Sequence, residues 1–79
     1  MNLIKIESEF IKLDQLLKFS TVVDSGGVAK ILIKEECVLV NGEVCTQRGK
    51  KLYPDDVVDI EFFDEDGLIE EVITLKVTK

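Results

Sequence analysis

Residues 25–51, SGGVAKILIKEECVLVNGEVCTQRGKK, run from a helix start through a short strand and a tight turn into a basic loop. Ser25 is a good helix N-cap, because its hydroxyl can accept from a free amide of the first turn, and Asp24 adds negative charge at the positive end of the helix dipole. From there Ala29, Leu32, Ile33 and Glu36 fall on one face, which the spacing predicts to be mostly core. Lys30 and Lys34, four residues apart, share another face and stay wet. Val38-Leu39-Val40 is a β-branched run, and Asn41-Gly42 supplies two residues that tolerate positive φ, so the chain is expected to reverse there as a hairpin.

Gly26 and Gly27 lower helix propensity by about 1 kcal/mol each relative to alanine. They read either as a simple N-terminal turn or as a place where a phosphate can approach the free amides of the helix start. The stretch is not a Gly-x-x-x-x-Gly-Lys phosphate loop.

Working outward, residues 2–6 alternate weakly and predict a short edge strand. Leu13–Phe19, LDQLLKF, places Leu13, Leu16, Leu17 and Phe19 to one side of a two-turn helix, too short to persist unpacked. Thr21-Val22-Val23 links it closely to the second helix, making the two neighbours. Beyond the basic loop, Pro54-Asp55-Asp56 reads as a turn with proline at its second position. Val58, Ile60 and Phe62 then alternate with Asp59, Glu61 and Phe63, and Ile73, Leu75 and Val77 with Thr74, Lys76 and Thr78, an expected antiparallel pair joined at residues 64–67.

Seventy-nine residues predict one domain with a single modest core. No apolar run approaches the roughly 18 residues of a membrane span, and the first ten residues lack a signal-peptide core, so a cytoplasmic monomer without membrane association is expected. A two-residue Asn-Gly hairpin sets Cys45 opposite Val38 and Cys37 opposite Thr46; a three-residue loop sets Cys45 opposite Leu39 and Cys37 opposite Gln47. Neither register pairs the cysteines, and two cysteines without a histidine fall short of a zinc ligand set. Both are read as small buried hydrophobes, with a redox or metal role for Cys37 and Cys45 as a rival. Asp64-Glu65-Asp66-Gly67 lacks the calcium-loop pattern, so no metal and no cofactor are expected.

A net charge of −6 opposes binding to a polyanion, but the deficit belongs to one end. Residues 1–53 carry eight basic and seven acidic side chains, for +1, and residues 54–79 two basic and nine acidic, for −7. Lys30, Lys34, Arg48, Lys50 and Lys51 cluster in sequence, and Arg48-Gly49-Lys50-Lys51 contains no acid. Screening confines surface fields to roughly 8–10 Å at physiological salt, so an acidic chain can carry a local positive face. Taken singly, each of these cations reads as a solvated side chain; a hairpin that holds Arg48, Lys50 and Lys51 near the helix bearing Lys30 and Lys34 makes a binding surface the expected reading.

In the order LDQLLKF, SGGVAKILI, VLVNGEV, RGKKLY and DDVVDIEF, the chain resembles the S-four RNA-binding domain, named after ribosomal small-subunit protein four and also called the alpha-L motif. The likeness spans about residues 10–62, leaving an acidic hairpin over about 57–78, and is nearest the small stand-alone bacterial YaaA/YbcJ type. It implies an α+β fold in which two short packed helices are followed by a small antiparallel sheet. It also implies a module that docks structured RNA, ribosomal or transfer RNA, in the setting of ribosome assembly, with ribosomal proteins as further partners. Position by position it points to Ser25, Gly26 and Gly27 at the helix start, Lys30 and Lys34 on the helix, Asn41 and Gly42 in the turn, and Arg48, Lys50 and Lys51 in the loop, with Lys12 and Lys18 as additions. Departures are Lys12 and Gly26 where many members have arginine, Glu36 where they have glycine, and Asp55-Asp56 where they have Gly-Asp. Lysine is a point charge rather than a bidentate fork, which favours phosphate positioning over detailed recognition.

No histidine is present and no nucleophile can be matched with a base by spacing, so an enzyme is not expected. Most phenylalanines occupy core-like positions, leaving Tyr53 as the one candidate to stack on a base, against its reading as a core or rim tyrosine. The alternative function is a protein-interaction module whose acidic C-terminal strands hold a basic partner.

Overall fold

The computed structural model describes residues 1–20, 23 and 26–79. Its elements are β1 (Asn2–Lys5), β2 (Ile11–Lys12), α1 (Leu13–Phe19), α2 (Gly26–Lys34), β3 (Val38–Val40), β4 (Glu43–Val44), β5 (Lys51–Leu52), β6 (Val57–Phe63) and β7 (Ile69–Thr78). Five strands form one sheet in the order β1-β7-β6-β3-β4, and β2 and β5 make a separate two-stranded ladder. The α+β class stands, but the expected order of two helices followed by an antiparallel sheet does not. Two strands precede α1, and β1 runs parallel to β7, so the sheet is mixed. The sequence could not disclose this, because parallel pairing of distant strands leaves no local signature.

Burial follows the two periodicities. Val38 and Val40, Val58 and Ile60, and Leu75 and Val77 point from three adjacent strands into the core. Leu13, Leu16 and Leu17 of α1, Ala29 and Ile33 of α2 and Leu52 of β5 join them in that core. Leu13, Leu16 and Leu17 have no exposed surface, each contributing about 1.5–3 kcal/mol of burial to helices too short to stand alone.

Two turns require positive φ from residues that resist it. Helix α2 ends in a Schellman motif, in which the Glu36 amide donates to the Ile33 carbonyl at 3.2 Å and the Cys37 amide to Leu32 at 3.0 Å. That geometry sets Glu36 at φ 63° and turns it out to solvent, so it leaves the core face on which its spacing had placed it. In the turn 53–56 the Asp56 amide reaches the Tyr53 carbonyl at 3.0 Å and Asp55 has φ 81°, as a type II turn demands of its third residue. These are the two positions where the resemblance leads one to expect glycine. Glu36→Gly is expected to raise stability by about 0.5–1 kcal/mol, with Asp55→Gly giving less because aspartate tolerates this region better. The Lys76–Asp55 ion pair, 4.0 Å long with the carboxylate 91% exposed, is too solvated to offset much. Urea midpoints of the two variants check this.

The phenylalanines also differ from expectation, since none is fully buried and Phe19 and Phe63 are exposed. Phe19 closes the last turn of α1 beyond the Leu16–Leu17 contact with the core. Phe63 follows a bulge that shifts the β6–β7 register between Phe62 and Phe63.

Candidate nucleic-acid interface

Lys12, at the N-cap of α1, offers no side-chain hydrogen bond to the helix start. The chain supplies the missing acceptors from elsewhere: the Leu13 amide donates to the Lys50 carbonyl at 2.9 Å and the Asp14 amide to the Arg48 carbonyl at 3.0 Å. The Asp14 carboxylate takes the next amide, that of Gln15, at 2.8 Å. Beside these bonds Ile11 pairs with Leu52 and Lys12 with Lys51 in the β2–β5 ladder. The basic loop is thereby stapled by its backbone to the first turn of α1, and its side chains are left outside.

Arg48, Lys50, Lys51 and Lys12 are all exposed. Among the described residues the Lys76–Asp55 contact is the one ion pair, and no carboxylate among them neutralises any of these four cations. Lys12 and Lys51 stand directly opposite each other across the ladder, an arrangement of like charges that costs stability. Lys51 finds relief on an aromatic face instead, its Nζ lying 4.7 Å from the centroid of Phe10. Phe10 in turn meets Tyr53 with ring centroids 6.1 Å apart and planes at 50°.

Of the positions singled out in the sequence, Arg48, Lys50 and Lys51 are brought together with Lys12. Lys30 and Lys34 lie exposed on α2, which packs against α1, and no hydrogen bond or ion pair ties them to the loop among the described residues. Gly26 and Gly27 open that helix. Ser25, with its capping role, and Asp24, Thr21 and Val22 lie outside the described residues.

Asn41 and Gly42 form a two-residue turn, at φ 52° and 86°, with Val40 opposite Glu43, the first of the two hairpin registers that the sequence allows. Sequence reasoning missed what the Asn41 side chain does. Its Oδ1 accepts from the Val57 amide at 2.9 Å and its Nδ2 donates to Asp56 Oδ1 at 3.1 Å, while Asp56 Oδ2 accepts from the Tyr53 amide at 2.7 Å. This brace joins the tip of the β3–β4 hairpin to the turn that follows the basic loop.

The cysteines are unpaired and half-buried rather than fully enclosed. Each thiol donates to a nearby carbonyl, Cys37 to Glu35 and Cys45 to Gln47, both at 3.7 Å. Burial, with Glu35 and Glu61 nearby, pushes the Cys37 thiol up, which holds it protonated and weakens it as a nucleophile or ligand. Among the described residues no three side chains of the metal-binding types converge, and no helix is long and apolar enough to cross a membrane.

The S4 domain family profile matches residues 4–70, and the chain belongs to this family. A Bacillus subtilis (strain 168) protein named "Probable ribosome maturation protein RlbA" is 52% identical to it over 62 residues, covering 78% of this chain and 87% of that protein.

Proposed function

We propose that this chain binds structured RNA, ribosomal or transfer RNA, without catalysing a reaction, and that it serves ribosome maturation in the cytoplasm. The observation that carries the reading is a set of exposed cations on a backbone-anchored segment, Lys12, Arg48, Lys50 and Lys51, that no carboxylate among the described residues neutralises; Lys12 and Lys51 stand opposite each other at a cost in stability that a polyanion would offset. Helix α1, helix α2 and the β3–β4 hairpin are taken as the alpha-L motif. On this reading Lys30 and Lys34 extend the phosphate contacts along α2, and Ser25, Gly26 and Gly27 offer backbone amides at its start. The name of the 52% identical relative supports the ribosomal setting.

Salt dependence tests it. If about four phosphates are neutralised, log affinity should fall against log salt with a slope of roughly −3, and Arg48→Ala should flatten the line by about 0.7–0.9. A flat line would remove the electrostatic basis of the reading.

A second reading has its own observation: Phe63, Leu68, Ile69 and Val72 are exposed at the far end of the β6–β7 hairpin, among Asp64, Glu65, Asp66 and Glu70. Apolar anchors ringed by carboxylates suit a basic protein segment, such as part of a ribosomal protein.

A further inference from the structure

Between the β3–β4 hairpin and the basic loop lies an open groove of about 560 Å³ whose lining includes Glu43, Thr46, Gln47, Lys50, Lys51 and Tyr53. We propose that this groove takes one unpaired nucleobase of the bound RNA, stacked on Tyr53, with its flanking phosphates on Lys50 and Lys51; the inference rests on the RNA-binding reading and names the nucleic-acid element that the site reads.

Three features single out a base. Tyr53 is 44% exposed, yet it is not loose: Phe10 supports its ring at 6.1 Å and Asp56 holds its amide at 2.7 Å. A pre-positioned aromatic face loses little freedom when a base settles on it. Next, the groove carries both signs of charge: Lys50 and Lys51 face the exposed carboxylate of Glu43 and that of Asp56, whose oxygens already accept from Asn41 and the Tyr53 amide. Those carboxylates repel a phosphate from the interior but tolerate a neutral heterocycle, so the chemistry sorts the ring inward and the backbone towards the lysines. Finally, the side chains of Gln47 and Thr46 make no hydrogen bond among the described residues and can pair with base edges. A base inside a duplex is already stacked and paired, so the occupant comes from a loop, bulge or strand end.

Tyr53 is the single tyrosine and the chain has no tryptophan, so its emission reports this ring alone. The full chain is titrated with an RNA hairpin bearing a single-stranded loop and with a fully paired RNA of equal length. Quenching that saturates with the loop RNA and is absent with the duplex is expected. Tyr53→Leu should weaken loop binding about tenfold with the salt slope unchanged, and Tyr53→Phe should bind nearly as the parent does. Loop RNA that binds with emission unaltered and equally well to Tyr53→Leu would overturn the inference while sparing the RNA-binding reading, as would equal quenching by the duplex. Failure of both RNAs to bind at low salt would overturn the two together.

Discussion

Replacing both Lys50 and Lys51 by glutamate is expected to weaken RNA binding by about a hundredfold or more near 0.1 M salt, because two phosphate contacts are lost and two repulsive charges put in their place. Unfolding would not account for such a loss. Lys50 and Lys51 are exposed, and the bonds that staple the loop to α1 come from backbone carbonyls that the substitutions leave intact. Indeed Lys51→Glu sets a carboxylate opposite Lys12, turning a repulsive cross-strand pair into an attractive one. The same change gives up the Lys51 contact with the Phe10 ring, so the two effects offset and stability should stay within about 1 kcal/mol of the parent while binding falls. Filter retention of labelled RNA alongside a urea titration measures both quantities on one sample. Unaltered retention would favour the acidic hairpin as the working surface, since capture of a basic protein there does not involve these lysines.

Asn41→Ala is expected to cost about 2–3 kcal/mol: two side-chain hydrogen bonds at about 1 kcal/mol each, and roughly 1 kcal/mol more for alanine at positive φ. Asn41→Gly separates the contributions, because glycine accepts φ 52° freely and loses the bonds alone. Its loss should be about 1 kcal/mol smaller. Because the brace runs through Asp56 to the Tyr53 amide, the alanine variant should also loosen the turn that ends the basic loop. A loss under about 0.5 kcal/mol for Asn41→Gly in urea unfolding would mean that water replaces the brace.

Much of the scaffold was legible because it is locally encoded. The leucine spacing in LDQLLKF marks Leu13–Phe19, Asn-Gly marks a hairpin, and the alternation through Val58, Ile60 and Phe62 marks β6. What escaped is non-local. Strands of two residues, as in β2 and β5, carry no periodicity, and the partner of β1 lies at the other end of the sequence. Glu36 continues the helical pattern in spacing after the backbone has already turned left-handed. One clue to the site did exist. Lysine immediately before Leu13 is a poor capping residue, and a helix start without its own cap must borrow acceptors from another segment. That segment proved to be the basic loop, so the same bonds that complete α1 also aim Arg48, Lys50 and Lys51 outward.

The parallel pairing of β1 with β7, Asn2 beside Leu75, bears on the order of assembly. The β3–β4 and β6–β7 hairpins close short loops, whereas β1 gains a neighbour only when nearly the whole chain has been drawn into a ring. Loop-closure entropy therefore predicts that the hairpins form first and that the leading strand docks last, onto an edge already built.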